Sequence, residues 1–163
     1  MLSKADLLVF GTCLLLPGCA GAQSAPSLLD AYGRTVALLN FMTTYVGESL
    51  LACTERNVLA EGQAEARFKA YRERNAALLE RAGAWRQEVE KQLRSQGEER
   101  AALERADEAG MSATAAALAR VRAEIDKVRD IRALCAGKVE GIESGRYDLS
   151  LNAEFVGLLK TNP

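Results

Sequence analysis

The chain has 163 residues, with 22 acids against 21 lysines and arginines and a formal net charge of −1; the two signs are interspersed, so it offers no electrostatic footprint for nucleic acid or for an anionic membrane surface. It contains no histidine, which excludes Ser-His-Asp and Cys-His nucleophilic systems, histidine-held zinc or haem, and the Glu-x-x-His di-iron site of helical bundles. A GxxxxGK[ST] loop, a GxGxxG turn and a CxxC pair are also missing, so nucleotide, dinucleotide and dithiol chemistry have no foothold, and neither a cofactor nor a small-molecule substrate is expected.

The chain opens with an apolar run, Leu7 to Leu16, preceded by Lys4 and followed by small residues. That is the anatomy of an export signal, and the run is too short to span a bilayer as a mature helix. It ends in Leu16-Pro17-Gly18-Cys19, which resembles the lipobox of bacterial lipoproteins, with proline where Ala, Ser or Thr is commoner. The resemblance implies that residues 1–18 are a signal peptide and that Cys19 becomes the lipidated first residue. With Ala20 rather than Asp behind it, the protein would be sorted to the outer membrane, facing the periplasm. Residues 19–26 would then form a tether reaching at most about 25 Å. Ala20-Gly21-Ala22 offers a rival, an ordinary secretory cleavage that releases a soluble periplasmic or secreted protein beginning at Gln23.

Residues 27–163 read as one helical-bundle domain. Good helix formers dominate and no proline occurs between Pro26 and Pro163. A first helix is expected from Ser27, with Asp30 completing a capping-box-like start, to a point before Gly62. Its seam, Tyr32, Val36, Leu39, Thr43, Val46, Leu50 and Cys53, advances by alternating threes and fours. Leu38, Phe41, Met42, Tyr45 and Leu51 widen that stripe and predict the most buried helix. The second helix starts near Gln63, with Phe68, Tyr71, Asn75, Leu78, Ala82, Trp85 and Val89 in its seam, which then turns polar at Gln92 and Gln96. Arg94 before Gly97, and Glu98-Glu99 after it, suit a helix end and a fresh start. Gly110 is read as a kink inside the third helix, whose seam is Leu118, Val121, Ile125, Val128, Arg132, Cys135, Val139 and Ile142. A short helix from about Ser150 closes the chain. The fold class is thus all-α, an elongated up-down-up three-helix bundle with a short C-terminal helix.

Cys53 and Cys135 each fall on a seam, and in an oxidising compartment two thiols meeting in one core would join, so the bundle is expected to be disulfide-braced. Turns near residues 59 and 97 bring the two to within about six residues of the same level, or ~9 Å. A turn at Gly110 would separate them by ~30 Å, beyond the ~7 Å limit for bridged Cα atoms.

The remaining constellations favour structural readings. Glu98-Glu99 and Glu104-Asp107-Glu108 lie on a helix without the converging loop oxygens of a calcium site. Trp85 reads as core. Arg132 needs a carboxylate or a route to solvent, and Gly137, Gly141 and Gly145 read as either a close-packing face or a loop entry. The function expected is a non-enzymatic envelope lipoprotein, an adaptor, assembly factor or scaffold whose partner is an envelope or secreted protein. The alternative is a periplasmic inhibitor or immunity protein against a secreted toxin or hydrolase.

Overall fold

The computed structural model describes residues 27–161, which form six α-helices and one 3₁₀ turn, with no strand among them. The segments expected to be an export signal and a tether, with Cys19, lie outside the described residues. The helices are α1 (Leu28–Glu55), α2 (Gln63–Arg74), α3 (Ala76–Ser95), α4 (Glu99–Lys127), α5 (Ile131–Glu143) and α6 (Ala153–Leu158), with the 3₁₀ turn at Leu149–Leu151.

Local chemistry accounts for the ends. Ser27 caps α1 by accepting the Asp30 backbone N–H at 3.1 Å, while its hydroxyl donates to the Asp30 carboxylate at 2.8 Å. At the other end Asn57 takes the left-handed conformation, φ 57°. The Asn57 and Val58 amides return to the Thr54 and Cys53 carbonyls, which satisfies carbonyls the helix would leave open. The same motif ends α3. Gly97 has φ +78°, its amide returns to the Arg94 carbonyl and that of Glu98 to the Leu93 carbonyl, and Arg94 reaches forward to Glu99.

Several expectations are corrected. The single second helix is two, interrupted at Asn75, whose side chain bonds to the Tyr71 carbonyl, to Asp148 and to the Leu149 amide. Its seam stays apolar, because Leu93 rather than Gln92 follows Val89 into the core. The third helix is also two. Val128 is extended, and Asp130 caps α5 by accepting the Ala133 amide at 3.0 Å.

The largest correction concerns α4. Its helix runs through Gly110 unbroken, and the face that it buries is Ala102, Ala106, Gly110, Ala113, Ala117 and Val121. Most of these residues are small, so the backbone comes close to α1, its principal neighbour. A Cβ on Gly110 would stand 2.6 Å from Asn40 Nδ2. Leu118, expected in the seam, is instead exposed, as are Leu103 and Met111.

Burial gathers in three places along α1. Tyr32 and Val36 pack with Trp85, Val89 and Leu93 of α3, Ala102 and Ala106 of α4, and Phe155 and Leu158 of α6. Val46 and Leu50 pack with Tyr71 of α2 and Ile142 of α5. Between these, Tyr45 meets Ala117 and Val121 of α4. Leu51, assigned to the widened stripe, faces outward. By length and composition α1 would also pass for a membrane span, but it supplies residues to all three clusters.

Candidate functional site

The most highly organised polar chemistry among the described residues lies where α1, α4 and α5 meet. Lys138 on α5 is 8 % exposed. Its ammonium donates to the Tyr45 hydroxyl and to Glu124 Oε2. The Tyr45 hydroxyl donates to the same carboxylate, at 2.9 and 3.0 Å from its two oxygens. Arg120, one turn before Glu124, donates to Oε1 at 3.1 Å, and its guanidinium lies 4.9 Å from the centre of the Tyr45 ring. Tyr147 sits edge-on to Tyr45, with ring centres 5.8 Å apart.

Charge in this setting is held by hydrogen bonding against desolvation. Burial alone would raise the Glu124 pKa, but donors from Lys138, Arg120 and Tyr45 outweigh it and hold the carboxyl below its usual range. Burial would likewise lower Lys138, yet bonding to Glu124 and Tyr45 leaves its pKa raised. Tyr45 is pushed up, chiefly by burial, with Lys138 opposing. Both charged groups therefore stay ionised near neutrality, and the phenol stays protonated.

This arrangement ties α1, α4 and α5 together through side-chain hydrogen bonds. The cavity beside it, lined by Ser49, Cys53, Glu124 and Lys138 among others, holds only about 10 Å³, too small for an organic ligand. The Lys138 ammonium has two acceptors and the Tyr45 hydroxyl has its acceptor within the triad. A second polar knot binds the C-terminal segment: Arg74 donates to both oxygens of Asp148, at 3.0 and 3.1 Å. Nearby, burial and then the Asp148 charge push the Tyr71 hydroxyl up to about 12.

Cys53 and Cys135 are brought together, with Cα atoms 5.7 Å apart and sulfurs 2.05 Å apart, the geometry of a disulfide. Cys19 lies outside the described residues. Trp85 is buried, and its indole N–H donates to the Thr161 carbonyl at 3.1 Å. Arg132 points to solvent rather than into a core. Glu104 pairs with Arg100, and Glu108 with Arg105; no group of three metal-ligating side chains occurs among the described residues. The glycine series divides. Gly137 is open, Gly141 packs under the Tyr147 ring, and Gly145 turns the chain at φ +79°.

Sequence reasoning missed Lys138, Glu124 and Tyr45 as a unit. Lys138 follows Cys135 by three residues and so shares its helix face, a signal for burial that the charge concealed.

No family model matches the chain, and neither the curated proteins nor the solved structures include a match to it. The class that the fold defines is therefore that of a small all-helical protein with a buried ion-paired cluster and a cystine.

Proposed function

We infer that the chain is a non-enzymatic lipoprotein of the bacterial envelope, anchored through Cys19 at the outer membrane and serving as an adaptor, assembly factor or scaffold for another envelope or secreted protein. The observation that carries the reading is the bridge geometry of Cys53 and Cys135, both buried, in a chain that opens with an export run. A structural disulfide belongs to an oxidising compartment, and the apolar run ending at Cys19 leads to one. A triad that joins three helices through shared hydrogen bonds supports a role in rigidity, which a docking module needs, over turnover.

The finer architecture that we favour is an elongated up-down-up bundle. α1 forms the first leg, α2 with α3 the second and α4 with α5 the third. The turns at residues 56–62 and 96–98 return Cys135 to the level of Cys53, as the bridge requires.

The test has two arms in living bacteria. Labelled fatty acid should appear on Cys19, and a photocross-linker at exposed positions such as Lys69 or Arg72 should capture a membrane-associated envelope protein. An unlabelled product beginning at Gln23 would replace the lipoprotein with a soluble secreted protein. Capture of a soluble toxin or hydrolase would favour the inhibitor, and a turnover abolished by Lys138→Met would overturn the non-enzymatic reading.

A further inference from the structure

α4 carries a second stripe beside the one it buries. Leu103, Met111 and Leu118 are exposed, at 55, 69 and 40 %, and with Asp107, Thr114 and Arg122 they recur at threes and fours along one flank of the helix. From Leu103 to Arg122 the ridge is ~28 Å long. An open groove of about 580 Å³ runs beside it, where Val36 and Leu39 of α1 and Arg86 of α3 stand across from Met111 and Leu118. Leu118 also lines the next concavity, between α4 and the end of α1, which includes Arg122. Bulky apolar side chains stand outside while alanines fill the core contact, so their burial against a partner is still to be gained.

The charges along this flank say what covers it. Ion pairs within α4 engage Arg100 with Glu104, Arg105 with Glu108 and Arg120 with Glu124. Asp107, one turn inside Leu103, and Arg122, at the far end of the ridge, take part in no ion pair among the described residues. The two have opposite sign and lie equally far from the midpoint between Thr114 and Ala115. So do Met111 and Leu118. A two-fold axis through that midpoint sets Met111 against Leu118 of a second copy and Asp107 against Arg122 of the same copy, each contact occurring twice, while Leu103 falls opposite Asp126 and lies outside the contact. We propose that this flank of α4 docks on the same flank of a second copy of the chain, antiparallel. The pairing is independent of the export reading. A single helix-to-helix contact falls at the small end of stable interfaces, about 1,200 Å² or less, so the dimer is expected in the micromolar range.

The test is sedimentation of the purified full chain in mild detergent across protein concentrations, with circular dichroism confirming that each variant is folded. Wild type should pass from monomer to dimer, and Met111→Asp should remain monomeric in the same detergent. Asp107→Arg and Arg122→Asp alone should each weaken dimerisation about tenfold or more, because each places like charges together at two contacts. The double variant should recover it. Oxidative cross-linking fixes the direction: Met111→Cys mixed with Leu118→Cys should couple more strongly than either with itself. A wild-type monomer at all concentrations, a dimer indifferent to Met111→Asp, a double variant without rescue or preferential Met111→Cys self-coupling would each overturn the proposal.

Discussion

Replacing Lys138 with methionine removes an ammonium while leaving an apolar stem of similar length in the same space. In the native protein that ammonium is shared by Tyr45 and Glu124. Deleting one partner of a fully buried ion pair costs about 3–5 kcal/mol, because the other charge is stranded. Here the stranding is partial: the Glu124 side chain is 29 % exposed and keeps Arg120 as a second cation and Tyr45 as a donor. The expected loss is therefore about 1–3 kcal/mol at pH 7. Adding Glu124→Gln should return part of it, since the uncompensated carboxylate is then gone, with a coupling of about 1 kcal/mol.

The pH dependence gives a second reading of the same variant. Glu124 is held below its usual range, so its contribution is complete above the unfolded carboxylate pKa of about 4.3 and disappears as pH falls through the lower folded value. Lys138 is raised, so its contribution is complete below the unfolded pKa of about 10.4 and fades as pH rises through the higher folded value. The deficit of the variant should therefore be widest between these limits and should narrow in acid. Urea unfolding of the oxidised protein, followed by circular dichroism at pH 7 and near pH 3, measures it. A variant within about 0.3 kcal/mol of wild type at pH 7, or a deficit that widens on acidification, would refute the assignment of Lys138 as a charge-paired lock.

Two glycines on one helix should respond in opposite directions. Gly137→Ala should stabilise by about 0.5–1 kcal/mol, since no atom stands within 4 Å of the added methyl and glycine is a poor helix former; Gly141→Ala should destabilise by about 1–3 kcal/mol, since its methyl would meet Tyr147 Cε2 at 2.6 Å. Thermal melts that shift the same way for both would contradict the packing. Replacing Cys53 and Cys135 together with alanine should lower stability by up to roughly 4–5 kcal/mol, the chain-entropy value for residues 82 apart in sequence. Denaturant titration with and without reductant should show reduction sensitivity in the wild type alone.

The parts of this protein legible in its sequence are those governed by neighbours along the chain. Ser27 and Asp30 state a helix start because cap and amide are three residues apart, and Gly97 states a helix end because only its own backbone need turn left-handed. The seam of α1 was readable for the same reason, as large apolar residues at helical spacing need only some partner to face. Cys53 and Cys135 required one further step, matching levels across two turns.

Contacts between distant residues decided the rest. Lys138 becomes buried only because Tyr45 and Glu124, 93 and 14 residues away, supply its hydrogen-bond partners, and nothing in its own surroundings announces them. Asn75 interrupts a helix because its amide also serves Asp148 and Leu149, again far along the chain. On α4 large apolar residues were a misleading guide. A close α1–α4 approach selects Ala102, Ala106, Gly110, Ala113 and Ala117 for the interface and leaves Met111 and Leu118 outside. Hydrophobic spacing reveals that a helix has an apolar flank, but the distance between backbones decides which of two adjacent flanks is buried, and that distance exists only once the chain has folded.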